Sequence, residues 1–324
     1  MYNEIMDFFG LNKEFQSAGY FETEHYQRTL EDVKAAIPSG GLIAITGVIG
    51  IGKTITLRLI QSALLKEKEI LIAKSLSVEK DRVTLGTLIT ALFADLVPNP
   101  NKNFKVPTQA EKRERTLQDL IRKSRKPIAL FVDEAHDLNG HTLVGLKRLV
   151  EVVQDGEGTL SVILVGHPKL RNDLRRPSME EIGSRTRIFT LNGIQGFEKQ
   201  YIEWVLTKCS KSAIKPTDIF SEEAINLLAE RLVTPLQIGY YAWQALEDAY
   251  QIGQKPVSVE VVENVLSPDI NDLEAKLTRY GYNKRALCNA LSAPMSEVNS
   301  FLHGQISSER AQEFQREIQK LGVL

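Results

Sequence analysis

The stretch Gly41–Thr54, GLIAITGVIGIGKT, restricts the fold more than any other part of this 324-residue chain. The apolar run Leu42 to Thr46 reads as a buried strand. The chain turns at Gly47, passes Gly50 and Gly52, and reaches Lys53 and Thr54, where the helical pattern ITLRLIQSALL begins. This is G-x-x-x-x-G-K-[ST] between a strand and a helix, the context in which the motif cradles phosphate. Glycines let successive backbone N–H groups turn inward around phosphate oxygens. The helix that follows directs its positive end at the same anion. Lys53 is placed to reach the β- and γ-phosphates and the Thr54 hydroxyl to hold Mg²⁺. The expected ATP-binding set is therefore Gly47, Val48, Ile49, Gly50, Ile51, Gly52, Lys53, Thr54 and Ile55, joined by Asp133 downstream.

A second motif supports the first. Ile128 to Val132 is an apolar strand that closes in Asp133 and Glu134. An acid at that point holds the Mg²⁺ carried by Thr54, and the next acid, Glu134, is placed to polarise an attacking water as general base. With a helix, a strand and a helix between the two motifs, the conjunction predicts a nucleoside triphosphatase core.

The strand Leu160–Val165 ends in Gly166, His167 and Pro168. Ligands gather at the carboxyl ends of such strands, so His167 either senses the γ-phosphate or makes a local backbone bond. Arg185 and, second, Arg187 precede the predicted last strand, Ile188–Leu191. Either serves as an arginine acting in trans on a neighbour's γ-phosphate or is a plain surface residue.

Composition adds bounds. A hydrophobic fraction of 43% and a charged fraction of 25% are those of a globular protein. The net charge of −1 argues against a wholesale nucleic-acid coat but allows a local basic groove. Cys209 and Cys288 have neither metal spacing nor a disulfide framework, which suits a reducing compartment. No apolar run approaches bilayer length, and the start lacks a signal-peptide pattern. The expectation is a cytoplasmic protein with no membrane association.

The opening segment, Met1 to Phe21, is dense in aromatics (Phe8, Phe9, Phe15, Tyr20, Phe21) and reads as a lid or clasp packed on the domain, through simple core packing or by sandwiching an adenine ring. Glu24–Ala36, Thr54–Lys66, Leu85–Leu96, Gln109–Arg125 and His141–Gln154 read as helices, Ile70–Lys74 as a strand, and Val97–Pro107 as an exposed loop. The basic residues of Gln109–Arg125 read as a solvated face or a nucleic-acid contact. Beyond the last strand, Phe197–Cys209, Ser221–Arg231, Leu236–Tyr250 and Val257–Leu266 read as a helical lid, with Ser221 as an N-cap.

In order, Phe9-Gly-Leu, TGVIGIGKT, LFVDEAH, LVGHPKLR, the arginine before the last strand and FSEEAINLLAERLVTPLQI resemble the bacterial AAA+ ATPases of the ExeA/TniB/TnsC/MuB group over roughly Met1 to Leu266. The resemblance implies a P-loop NTPase of the α/β class, with a five-stranded parallel sheet flanked by helices, a helical lid and a small all-α C-terminal unit. The expected division is 1–194, 195–270 and 271–324. In transposition members it also implies ATP-dependent homo-oligomerisation on double-stranded DNA, recruitment of a transposase, and disassembly on hydrolysis. Two departures stand out. Thr234-Pro235-Leu236-Gln237 lies where relatives with a Gly-x-Pro-Arg turn place a sensor arginine, and His167 stands where they often carry glutamine. Both suit slow or partner-dependent hydrolysis.

The tail, Leu273–Leu324, follows a helix-turn-helix rhythm. Asn283–Leu291 and Met295–Leu302 flank a turn at Ala293-Pro294, with Leu287, Leu291, Val298 and Leu302 inward. Phosphate contacts there would come from Lys284, Arg285, Arg310 or Arg316. A partner-docking bundle has the same spacing. Further candidates for DNA contact are Lys74, Lys80 and Arg82 after the second strand, and Lys147 and Arg148. The leading expectation is a transposition regulator on DNA; the alternatives are an ExeA-like ATPase of secretion or envelope assembly and an ATP-switched transcriptional regulator.

Overall fold

The computed structural model describes residues 2–74, 83–97 and 106–323. Five strands, β1 (Gly41–Thr46), β2 (Leu71–Lys74), β3 (Ile128–Val132), β4 (Leu160–Gly166) and β5 (Thr186–Thr190), form one sheet in the order β2-β3-β4-β1-β5. All its pairings are parallel. Successive strand residues face opposite sides of a sheet, and here both sides are apolar. Leu42, Ala44, Leu130, Val132, Val162 and Leu164 pack on one side, while Ile43, Ile45, Phe131, Ile163 and Val165 pack on the other. That is why these strands read as unbroken apolar runs rather than alternating ones.

Helices α1 (Tyr2–Phe9), α2 (Glu24–Ala36), α3 (Lys53–Glu67), α4 (Leu85–Leu96), α5 (Ala110–Ser124), α6 (Gly140–Asp155), α7 (Pro168–Leu174) and the single turn α8 (Glu180–Gly183) precede β5. α2 and α3 cover one face of the sheet through Val33, Ile60 and Leu64. α4 to α7 cover the other through Leu88, Leu117, Leu146 and Leu170. Side-chain oxygens cap three of these starts: Thr23 accepts from Tyr26 N, Thr84 from Thr87 N and Asn139 from Thr142 N.

After β5 come α9 (Glu198–Cys209), α10 (Glu222–Arg231), α11 (Pro235–Gln251) and α12 (Val259–Val265), with Ser221 capping α10. Their shared core takes in the opening segment: Ile5, Phe9, Leu11 and Phe15 are buried among Ile202, Phe220, Leu228 and Leu246. Tyr2 stacks on Trp243 at 4.3 Å between ring centroids, and Phe21 meets Trp204 edge-on at 5.5 Å. The aromatic segment is thus part of the lid's core rather than a clasp on the sheet. The helices it faces bury four of its large side chains, Ile5, Phe9, Leu11 and Phe15.

The chain ends in α13 (Leu273–Arg279), α14 (Lys284–Leu291), α15 (Met295–Leu302) and α16 (Ser308–Lys320). Leu287, Leu291 and Val298 are buried as their spacing requires, together with Phe301, Phe314 and Ile318.

Two local readings change. β5 starts at Thr186, which pairs with Leu42, so Arg187 lies inside the strand opposite Ile43 rather than before it. Of the loop expected over Val97–Pro107, residues 98–105 lie outside the described residues, as do Lys80 and Arg82.

Candidate nucleotide site

The phosphate-loop sequence folds into a cradle at the carboxyl end of β1. Gly50 and Gly52 take positive φ values of 80° and 104°, backbone geometry that a side chain would resist. α3 begins at Lys53, and Gly52 at its N-cap supplies no side-chain oxygen to its first N–H groups. Those donors are left for an anion. Lys53 folds back over the loop, and its ammonium donates to the carbonyls of Gly47 at 3.0 Å and Val48 at 3.1 Å. Burial holds its pKa below the ordinary lysine value, against the opposing pull of Glu134 and then Asp133. A buried cation short of a countercharge is a site for phosphate oxygens.

Asp133 and Glu134 leave the carboxyl end of β3. The Glu134 N–H donates to Asp133 Oδ1 at 2.9 Å, and Glu134 itself sits in the left-handed region at φ 55°. A non-glycine residue held there is strained, and such strain gathers at working sites. A short turn, Ala135–Asp137, follows at once.

This turn brings in a residue the sequence reading passed over. His136 lies against His167, with 3.8 Å between ring centroids, and both rings face Glu134. His136 Nδ1 is 3.4 Å and His167 Nε2 is 3.7 Å from Glu134 Oε2. His167 Nδ1 is in turn 3.2 Å from Lys53 Nζ. His167 therefore joins the loop lysine to the acid after β3. Burial first, then the neighbouring His136 and Lys53, pushes its pKa down to about 4, so the ring is neutral near pH 7. The only sign of His136 in the sequence was its place two residues past Glu134.

Glu134, His136 and His167 bring one ligand atom each within 4.8 Å of one another. The two rings are tilted at 50° to each other. The hard oxygens of the Thr54 hydroxyl and the Asp133 carboxylate are a better match for Mg²⁺, and Asp133 and Thr54 are both exposed at the cradle.

Two further elements meet the loop. Leu236, at the start of α11, donates its backbone N–H to Gly50 O at 3.4 Å. A Cβ on Gly50 would lie 2.6 Å from the Leu236 Cβ and 2.9 Å from Thr234 Oγ1. The lid thus docks by backbone contact, and only glycine fits beneath it. Leu236 is 56% exposed, and Thr234 and Gln237 are engaged in capping α11. From the C-terminal unit, the carbonyl of Arg279 accepts the Ile49 N–H at 3.0 Å.

The remaining candidates lie elsewhere. Arg185 is exposed ahead of β5, and its guanidinium pairs with Glu151 on α6. The Arg187 guanidinium reaches back to the Ala36 carbonyl at 3.4 Å. Lys147 is not free to meet DNA: it is 9% exposed and held by Glu181 and by Glu151, the latter at 3.0 Å. Its aliphatic stem lies on the core side of α6, where the acids neutralise the head group. Arg148 and Lys74 are exposed.

Residues 38–174 match a family model described as AAA domain. The fold is that of an AAA+ P-loop protein. General secretion pathway protein A of Aeromonas hydrophila is 29% identical over 154 residues, which are 45% of this chain and 26% of that protein. This chain therefore spans about a quarter of that relative's length. Among solved structures, the Walker-type ATPase of Pyrococcus abyssi aligns over 97% of this chain and 93% of its own, with a TM-score of 0.55 and 16% identity. The Drosophila ORC bound to DNA aligns over 98% and 83%, with a TM-score of 0.53 and 15% identity. Likenesses at such identity establish the architecture alone. Among the described residues no helix is long and apolar enough to cross a membrane.

Proposed function

We propose that the chain is an ATP-driven switch of the AAA+ type. The observation that carries this reading is the line Lys53–His167–Glu134, which joins the phosphate cradle to the acid after β3. In this reading the loop Gly47 to Ile55 and the Lys53 ammonium bind the triphosphate. Thr54 and Asp133 hold Mg²⁺, which supplies charge neutralisation between the phosphates. Glu134 takes a proton from the attacking water. His167, neutral and in contact with both ends, reports whether the γ-phosphate is present. Arg185 leaves Glu151 to act on a neighbouring subunit.

The finer reading is assembly on double-stranded DNA as a regulator of transposition, with a transposase as partner, subunits in a ring or filament, and hydrolysis driving disassembly. It is supported by the order of motifs across residues 1–266 and by the α14–α15 pair. Those helices are joined through Ser292, Ala293 and Pro294, with Ser292 in the left-handed region at φ 50°. Of the candidates after the second strand and on α6, Arg148 and Lys74 are described and exposed, open to the DNA backbone. The division into units 1–194, 195–270 and 271–324, with the aromatic segment counted in the second, belongs to the same reading.

A second reading is an ATPase acting on a protein partner in secretion. It is favoured by the 29% identity to General secretion pathway protein A. Electron imaging separates the two. With duplex DNA and a slowly hydrolysed ATP analogue, the DNA reading predicts rings or filaments that vanish with ADP or in Lys53→Ala. Failure to assemble on DNA in any nucleotide state would overturn it in favour of the protein-directed ATPase.

A further inference from the structure

The C-terminal unit touches the nucleotide site at several points that no role assigned so far uses. Arg279 O accepts the N–H of Ile49 in the cradle at 3.0 Å, and Tyr280 O accepts the N–H of Lys169 at 3.2 Å. Between these carbonyls and α14 lies Gly281, at φ 92°. A Cβ there would stand 2.7 Å from His167 Cβ, so backbone packs directly on the base of the His167 side chain. Farther out, Asn172 on α7 donates to the Tyr282 hydroxyl at 2.8 Å and to the Leu321 carbonyl at 3.0 Å. One unit thus seats the end of α13 on the loop and its last residues on α7.

This seat has chemical consequences. The contacts involve Ile49 and His167, the side of the site where a γ-phosphate would lie. The cleft left there, of about 640 Å³, has His136 and His167 on one wall and Thr278, Gly281, Arg285 and Asn289 on the other. An arginine arriving from a second subunit must approach a γ-phosphate from outside its own chain, and the docked helices stand on that approach.

The cations of the unit are also engaged. Arg310 pairs with Glu297 at 2.8 Å and with Glu313, Lys284 pairs with Glu274 at 3.3 Å, and Arg285 lines the cleft. Two of the four basic residues expected to meet DNA phosphates, Lys284 and Arg310, are thus paired with acids of their own unit.

We infer that the C-terminal helices are an intramolecular cap on the γ-phosphate side of the nucleotide site, and that their release exposes this face to a second copy of the chain. The inference rests on the ATP-switch reading above. The contacts are short and mostly through backbone atoms, and the cleft stays open on one side. Nucleotide can therefore enter while the cap is closed, but the neighbour cannot engage.

The test uses the full-length chain and two variants acting from opposite sides. Gly281→Val places a branched side chain against His167. Asn172→Ala removes the two side-chain bonds from α7, leaves the Lys169 N–H bond to Tyr280 O, and leaves the C-terminal unit itself unaltered. Hydrogen exchange of peptides covering residues 47–52 and 278–283 reports release, sedimentation with an ATP analogue reports assembly, and phosphate release reports turnover. The expected result in both variants is faster exchange in both peptides, a shift from monomer to assembled species, and a rise of about 5-fold or more in turnover per chain. Unchanged exchange in Asn172→Ala, or faster exchange with no gain in assembly or turnover, overturns the cap. A fluorescent ATP analogue titrated into the same samples separates the two failures. Binding without assembly sinks the cap alone, whereas no binding to any sample sinks the ATP reading with it.

Discussion

The backbone N–H of Ile49, in the middle of the glycine-rich loop, donates to the carbonyl of Arg279, in the C-terminal helices, at 3.0 Å. A hydrogen bond between main-chain atoms leaves no side-chain signature, so neither residue type announces it. It makes the cradle a junction of three units: the sheet through Gly47, the lid through Gly50 and Leu236, and the tail through Ile49. A change in the loop on binding triphosphate is felt by both helical units at once.

Glu134→Gln keeps the shape of the side chain and removes its basicity. It should bind nucleotide as the parent does and lose turnover by about 10²- to 10⁴-fold, the range for a positioned base. Equilibrium binding of a fluorescent analogue beside a phosphate-release assay checks both halves. A variant that retains turnover would move the base to another residue.

His167 offers a pH test. Its folded pKa is about 4, below the ordinary histidine value, so between about pH 6.5 and pH 4 the unfolded chain binds the extra proton and the folded chain does not. Stability should therefore be fully present above about pH 6.5 and fall as the pH drops toward 4. His167→Gln removes this contribution. Plots of Tm against pH for parent and variant should converge on the acid side of that window, and parallel curves would contradict the buried neutral ring.

Leu236 sits over Gly50 where a cation would face the phosphates in relatives with a sensor arginine. Leu236→Arg is 56% exposed in its starting position, so the longer side chain has room. It should tighten triphosphate over diphosphate binding, read by competition titration. An equal effect on both nucleotides would show that the new charge does not reach the γ-phosphate.

Phe9→Ala tests whether the opening segment belongs to the lid. Phe9 is fully buried among lid residues, and truncating a buried phenylalanine costs about 3–5 kcal/mol. Thermal unfolding should show a marked fall in Tm. A change of a degree or less would mean that the segment is not part of the folded core.

Much of the nucleotide site was legible in the sequence because its chemistry depends on residue type and spacing. Gly47–Thr54 and Asp133–Glu134 can be read without knowing the fold, and the apolar strands behind them place both at one end of a parallel sheet. Long-range packing was less legible. The aromatics of residues 8–21 announce burial but not against which surface, and α9–α12 and the sheet both offered one. His136 becomes meaningful only when the turn after Glu134 sets it against His167. Lys147 looks like any surface lysine until α6 is rotated to place it beside Glu151 and Glu181. The start of β5 was misplaced because Arg185 and Arg187 look alike in sequence, whereas pairing with Leu42 begins between them at Thr186.

The central claim is that this cradle binds a nucleoside triphosphate and that the chain hydrolyses it. The most direct measurement is release of inorganic phosphate from Mg²⁺–ATP, run with Lys53→Ala beside the parent. Slow, saturable release that Lys53→Ala abolishes is the predicted result. Release that persists unchanged in Lys53→Ala, or no saturable ATP binding by the parent, would contradict it.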